Sequence, residues 1–188
     1  MRTKISYKLN FEKAIEALVW LAQNKPGIDI YHIAKVLYWA EKTHINRYGR
    51  PVVGDTYIKM DYGQAPSNIL DLLKNKMRRD TLINEQHIDS INKSLRIASE
   101  ENWSIWAIRL PNMDYFSATD IECLAESLRK YGDMSFDELK ETSHNEKTFI
   151  ESMQDNRLID YLLFIDDDNP NKEEIMEDMI IGSRHLQL

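Results

Sequence analysis

Cysteine, glycine and proline are scarce in this sequence, and each scarcity excludes a class of protein. Six glycines and five prolines in 188 residues are too few for a collagen-like or low-complexity chain. The single cysteine, Cys123, cannot form an intramolecular disulfide, so we expect a reducing compartment, the cytoplasm. Apolar runs stay far below the roughly 18 residues of a membrane span. Residues 1–6 lack the apolar stretch of a signal peptide, so we expect neither a membrane protein nor a secreted one.

Sequence signatures of catalysis and of metal binding are also missing. There is no Gly-rich phosphate loop ending in Lys-Ser/Thr, no His-Glu-x-x-His, no Gly-x-Ser-x-Gly and no Cys-x-x-Cys. A zinc site would have to draw scattered histidines and carboxylates from several segments. The sequence therefore predicts no enzyme activity, no catalytic residues, no metal and no cofactor.

Charge is present in quantity but is distributed unevenly along the chain. Residues 1–100 carry 16 Lys/Arg and 11 Asp/Glu, whereas residues 101–188 carry 8 and 20. An acidic half favours a basic protein partner and disfavours nucleic acid. The simpler interpretation, that the acidic excess serves solubility alone, stays open. The basic cluster at 74–79 fits either a helix C-terminus, where the dipole favours cations, or a phosphate contact.

Capping residues and apolar spacing predict an N-terminal pair of helices. Asn10 can cap a helix over 11–24, and Asp29 can cap another over 30–48. Gly49 is placed for a left-handed C-terminal cap of the second helix. In the second half of the chain, the capping boxes Ser117-x-x-Asp120 and Ser135-x-x-Glu138 each predict a helix start.

Between and after these helices the pattern predicts both helices and strands. Residues 62–66 are typical of a turn that leads into a helix with Pro66 at its first position and Met77 on its apolar face. Further helices are expected over 84–98, 145–155 and 172–181, and strands over 52–62 and 104–110. We expect an α+β, mainly helical domain over 1–165 whose two strands form a small antiparallel sheet or hairpin. Residues 166–188 would be an acidic linker and helix, packed on the domain or appended to it.

A carboxylate, an imidazole and a guanidinium recur at three-residue spacing in the second helix. Glu41, His44 and Arg47 could touch on one face, and a carboxylate beside an imidazole can orient a general base. Such a trio is more often a solvated helix face with a salt bridge. A small hydrolase using Glu41, His44 or Asp55 is therefore the alternative function.

Two blocks of sequence resemble the Panacea domain family, which includes SocA-like antitoxins and many phage-associated proteins. The first covers 35–44, 47–55, Tyr57, 62–63 and 66–67, and its Tyr-Gly-Arg-Pro-x-x-Gly-Asp run at 48–55 is specific. The second covers 109–111, 116–121, 130–133, Leu139 and 143–144. Where the family often has Gly-Pro-x-Pro, this chain has Gly-Gln-Ala-Pro at 63–66, so the turn is expected to differ there.

The resemblance implies an antitoxin that binds and neutralises a co-encoded toxin, with a cytoplasmic protease as a second partner if it acts as an adaptor. It brings no catalytic residues. Within the first block, Asp55 is placed to accept backbone N–H groups in a turn. Aromatic and arginine side chains anchor protein interfaces, so the candidate partner-binding residues are Trp39, Tyr48, Arg50, Lys59 and Tyr62. A DNA-binding regulator of its own operon is a further alternative.

Overall fold

A computed structural model describes residues 5–76, 83–100, 102–152 and 157–185 of the chain. The helix caps predicted from the sequence are formed in this structure. The elements, in chain order, are α1 (Phe11–Asn24), β1 (Ile28–Asp29), α2 (Ile30–Tyr48), β2 (Tyr57–Met60), β3 (Gly63–Pro66), α3 (Ser67–Leu73), α4 (Glu85–Ser94), β4 (Leu95–Ala98), β5 (Ser104–Ala107), α5 (Ala118–Tyr131), α6 (Phe136–His144), α7 (Lys147–Ile150) and α8 (Lys172–His185).

Local hydrogen bonds explain where these helices begin and end. Asn10 Oδ1 accepts from Lys13 N at 3.0 Å, and Asp29 Oδ1 accepts from His32 N at 2.8 Å. Gly49 closes α2 in the left-handed conformation with φ of 70°. Capping boxes open α5 at Ser117 and α6 at Ser135. Each of these caps confirms a prediction made from the sequence.

The predicted strands exist, but they do not pair with each other. β2 pairs antiparallel with β3, so residues 63–66 form a strand and not the expected turn. β5 pairs with β1 on one side and with β4 on the other, in a separate three-stranded antiparallel sheet. The α+β, mainly helical class is confirmed, and the pairing of 52–62 with 104–110 is wrong.

Two predicted helices are shorter than expected. The helix expected over 84–98 ends at Ser94, because residues 95–98 pair with β5 instead of continuing the helix. The helix expected over 145–155 is only α7, with residues 153–155 lying outside the described residues. Pro66 precedes α3 as its N-cap, and Met77 and residues 78–79 of the basic cluster also lie outside the described residues.

The chain after α7 covers the free edge of the β2–β3 hairpin. Lys59 N donates to Arg157 O at 2.6 Å, and Ile159 N donates to Tyr57 O at 2.9 Å. Ile58 and Leu158 form an antiparallel bridge between these two bonds. Residues that are about a hundred positions apart in sequence thereby complete one small sheet.

α2 lies at the centre of the fold and packs most extensively against α5. Its fully buried apolar side chains join the main core; they are Ile33, Val36, Leu37, Tyr38, Ala40 and Ile45. α8 packs Ile175 and Met179 into the same core, 8% and 1% exposed. Among the helices of the described residues, none has the length and hydropathy of a membrane span.

Candidate functional site

A buried carboxylate organises the loop that follows α2. Glu41 is fully buried, and its carboxylate accepts backbone N–H groups from Val52, Val53 and Gly54 at 2.5, 3.0 and 2.9 Å. Burial raises the pKa of Glu41 to about 7, against the opposing effect of these three donors. Glu41 therefore fixes the loop at 52–54, which connects α2 to the hairpin, through hydrogen bonds made in the protein interior.

A second buried carboxylate, that of Asp55, accepts hydrogen bonds from the first turn of α3. Asp55 accepts from the backbone N–H groups of Asn68 at 3.2 Å and Ile69 at 2.8 Å, and from the Asn68 side chain at 2.7 Å. Thr56 N also donates to Asp55 at 2.6 Å. Burial raises the pKa of Asp55 to about 6. The predicted role of Asp55 as an acceptor of backbone N–H groups is confirmed, and the carboxylate serves as a cap for α3.

The imidazole of His44 joins the same corner to α5. His44 Nδ1 lies 2.8 Å from Arg50 O, which can only accept, so this nitrogen carries the proton. Nε2 lies 3.0 Å from Thr119 Oγ1 and 3.3 Å from Asp120 Oδ1. Burial lowers the pKa of His44, and the neutral ring can accept from Thr119.

The trio Glu41, His44 and Arg47 does not form the contact that a general base would require. Glu41 binds the loop, His44 binds α5, and Arg47 pairs with Glu122 at 3.1 Å and Glu126 at 2.7 Å. The alternative prediction, that the trio lies on a solvated helix face, is also wrong, since Glu41 and His44 are both 0% exposed. The described contacts of Glu41 and His44 connect elements of the fold.

Two predicted partner-binding residues lie together beside α5. Tyr48 is 41% exposed, and its hydroxyl donates to Glu122 at 3.2 Å. Arg50 donates to Asp120 at 2.9 Å and to Ser117 at 3.0 Å, with much of its side chain in solvent. Lys13 completes this cluster from α1 by pairing with Asp120 at 2.8 Å. Asp120 therefore anchors Arg50 and Lys13, and Glu122 anchors Tyr48, at this side of α5.

The other predicted residues lie elsewhere. Lys59 Nζ donates to Phe149 O at 2.6 Å, and Tyr62 is exposed at the tip of the hairpin. Trp39 is buried: its ring stacks on Tyr131 at 3.8 Å, and Nε1 donates to Glu146 at 3.2 Å. The five residues thus do not form one patch, and their role in binding stays a prediction.

Sequence reasoning missed an aromatic cluster at the hairpin tip. The ring of Phe136 lies 4.5 Å from the ring of Tyr31 and 5.3 Å from the ring of Tyr62. The Tyr31 hydroxyl donates to Tyr62 O at 3.2 Å, and Lys140 Nζ lies over the Tyr62 ring. These residues come from three separate elements, so no local pattern in the sequence brings them together.

Neither the single thiol nor the acidic residues form a recognisable reactive centre in the described residues. Cys123 is buried in α5, and burial raises the pKa of its thiol to about 11, which disfavours the thiolate. His, Cys, Asp and Glu side chains do not gather in groups of three that could hold a metal ion within the described residues. The expected absence of a metal and a cofactor stays a prediction.

Comparison with models of known protein families gives a match. A family model described as "Antitoxin SocA-like, Panacea domain" matches residues 33–149, from the first turns of α2 through α7. No curated protein and no solved structure matches significantly.

Proposed function

Since this chain belongs to the SocA-like antitoxin family, we propose that it neutralises a co-encoded toxin by direct protein–protein contact. The family match over residues 33–149 carries the proposal. The matched segment includes all five predicted partner-binding residues, from Trp39 to Tyr62. The mechanism requires no chemistry from the chain, so we also propose that the protein is not an enzyme.

The acidic surface of α8 supports an electrostatic approach to a basic partner. Four exposed carboxylates lie on this helix: Glu173, Glu174, Glu177 and Asp178. Within the described residues, none of the four forms an ion pair. The opposite face of α8 is anchored, because Ile175 and Met179 are buried in the core. Charge held at a fixed position can speed the encounter with an oppositely charged protein.

The close contacts would come from the aromatic and arginine side chains near α5 and the hairpin. Tyr48 and Arg50 are already oriented by Glu122 and Asp120, so binding would cost them little side-chain entropy. Such rigid, partly exposed aromatics and arginines are typical anchors of interfaces. Trp39 is buried against Tyr131, so it would contribute to binding only indirectly, by holding α5 in place.

A further part of the proposal is that the complex forms in the cytoplasm and that the chain can act as an adaptor for a cytoplasmic protease. The single cysteine, which is buried, suits a reducing compartment. Phage association is expected from the family resemblance.

Co-expression with the neighbouring reading frame tests the proposal. We expect growth rescue, a stable complex of one chain with one toxin, and association that slows as salt rises because exposed charges are screened over about 8–10 Å. Rescue without a physical complex would exclude the contact mechanism. Rescue at a small fraction of the toxin's molar amount would indicate an enzyme or a recycled adaptor.

A matched pair of variants tests the electrostatic part. Glu173→Lys with Glu177→Lys reverses two exposed charges one helical turn apart on α8. Glu85→Lys with Asp89→Lys makes the same change at the same spacing on α4. We expect only the first pair to slow association, by roughly tenfold at low salt, with little change in dissociation. Equal rates for both pairs would remove α8 from the encounter surface.

A further inference from the structure

A small apolar pocket lies between the first half of α2 and the β2–β3 hairpin. Its volume is about 160 Å³, close to that of an engineered cavity of roughly 150 Å³ that accommodates benzene. Its apolar walls are formed by Ile30, Tyr31, Ala34, Met60, Ala65 and Leu70. The pocket therefore has room for one apolar side chain.

A lysine with an incomplete set of partners borders this pocket. Lys35 is 1% exposed, and its Nζ donates to Gln64 O at 2.9 Å. Nζ also lies beside two other pocket residues, close to Gly63 and 5.2 Å from the centre of the Tyr31 ring. An ammonium group has three donors, and within the described residues Lys35 forms no ion pair with a carboxylate.

The charge around the pocket is complementary to a carboxylate. Burial without a counter-charge lowers the pKa of Lys35 to about 7, so a carboxylate brought next to it would restore its charge. Lys74 lines the same pocket and also has no ion pair within the described residues. Two carboxylates near the pocket have other partners. Asp29 Oδ2 lies 2.7 Å from His32 Nδ1, and Asp137 helps to raise the pKa of Tyr31 rather than pairing with Lys35.

The apolar surface continues beyond the pocket. Tyr62, Phe136 and Met60 are 54%, 43% and 39% exposed, and Tyr62 and Phe136 are in ring contact. A small molecule that fills the pocket would leave this aromatic surface uncovered. A protein segment would cover both, which favours a protein over a small molecule as the occupant.

We propose that this pocket receives from the toxin an apolar side chain that stands next to a carboxylate, with Lys35 Nζ donating to the carboxylate. The carboxylate can be an Asp or Glu side chain or the C-terminus. The proposal rests on the proposed function, because the toxin is the partner. It adds a second, basic contact, formed by α2 and the hairpin, to the acidic face of α8.

The affinity of the toxin encoded by the adjacent reading frame tests this contact in three variants. Lys35→Met removes the ammonium with little change of shape, and Ala34→Leu fills the pocket while leaving Lys35 in place. Lys93→Met removes an equal charge from the exposed face of α4 as the control. We expect affinity to fall at least about tenfold for Lys35→Met, because one partner of a buried charge pair is truncated, and by a similar factor for Ala34→Leu, because the added side chain occupies the pocket. The control should stay within about twofold.

Proton uptake gives a readout that a purely structural role would not change. Calorimetry at pH 8 in two buffers of different ionisation enthalpy should show that the complex takes up a proton, since the carboxylate raises the pKa of Lys35 from about 7. The Lys35→Met complex should lack this uptake. Thermal unfolding shows which variants are folded, and if Lys35→Met does not fold, Ala34→Leu decides.

The outcomes separate the two proposals. A wild-type complex whose affinity is unchanged in both pocket variants would overturn the pocket contact and leave toxin neutralisation standing. No complex with wild-type protein would defeat both. Hexanoate, with hexanamide as its neutral control, probes the isolated protein by amide chemical shifts at residues 30–35 and 60–65. If hexanoate binds in a Lys35-dependent way while toxin affinity is unchanged in the variants, the ligand is a small carboxylate and the protein contact is overturned.

Discussion

The two halves of α2 differ in how completely their buried ionisable side chains are hydrogen-bonded. In the second half, Glu41 is surrounded by three backbone donors and His44 by partners on both ring nitrogens. In the first half, the equally buried Lys35 has one carbonyl acceptor among the described residues and borders an open pocket. A buried ionisable group with a full set of internal partners serves the fold. One with an incomplete set leaves room for an external partner, and this difference can be tested.

Glu41→Ala should give the largest effect. It leaves three buried N–H groups without an acceptor and creates a cavity, so we expect a loss of about 3–5 kcal/mol in the free energy of unfolding. Denaturant unfolding measures the change, and Glu12→Ala on the exposed face of α1 should stay within about 0.5 kcal/mol. A small loss for Glu41→Ala would mean that the loop at 52–54 does not depend on the carboxylate.

Gly63→Ala tests the narrow space beside Lys35. Gly63 has a φ of 100°, and an added Cβ would overlap Ser143 Oγ and Lys35 Nζ. Backbone strain and overpacking together predict a loss of about 2–4 kcal/mol in the free energy of unfolding. Gly182→Ala, within α8 and with nothing within 4 Å, should instead be neutral or stabilise the fold by up to about 1 kcal/mol. Equal melting temperatures for the two variants would show that this space is not as narrow as described.

Lys35→Met should stabilise the isolated protein, in contrast to Glu41→Ala. A buried, incompletely paired ammonium costs free energy that methionine does not, so we expect a gain on the order of 1–3 kcal/mol at pH 7. The pKa of Lys35 in the folded protein, about 7, lies below the usual lysine value of 10.5. The unfolded chain therefore binds more protons between these pH values, and wild-type stability should rise with pH through this window.

Urea unfolding at pH 7, 8, 9 and 10 measures this dependence. Lys35→Met should show a smaller rise than the wild type over the same window. A variant that is less stable than the wild type at every pH would indicate that the ammonium is fully paired and would remove the contrast between the two halves of α2.

Gly49→Val should give the smallest effect of the four. Gly49 has a φ of 70° at the end of α2, and an added Cβ would meet nothing within 4 Å. Conformational strain alone is therefore expected, at about 1–2 kcal/mol. Gly49→Asn, which tolerates the left-handed conformation, should lose less than about 0.5 kcal/mol. An unchanged denaturation midpoint for Gly49→Val would show that the residue is not held in that conformation.

Features decided by neighbouring residues were predictable from the sequence. Asn10, Asp29, Ser117 and Ser135 each satisfy N–H groups within three positions, so the residue type and the spacing suffice. The end of α4 was not predictable in this way. Leu95 and Ala98 fit the apolar spacing of a continuing helix, and pairing with β5 outweighs that local preference.

The candidate site shows the same division. Helical spacing correctly places Glu41 and His44 near one another on α2, but the loop at 52–54 and Thr119 on α5 decide that both are buried. The pocket beside Lys35 depends on how the hairpin lies against α2, and the sequence pattern contains no sign of that arrangement. Long-range packing, rather than propensity, determines which charged residues retain room for a partner.

The segment that covers the hairpin edge sets a limit on how early during synthesis the protein can become functional. The outer edge of β2 is completed by Arg157 and Ile159, and the Tyr161 hydroxyl donates to Asp55 O at 2.6 Å. A ribosome that adds about 5–20 residues per second needs roughly 8–30 s to reach this segment. Until then the hairpin has an open edge, which is a template for pairing with other chains. A nascent chain that has not yet reached Tyr161 therefore lacks these contacts and cannot complete this sheet.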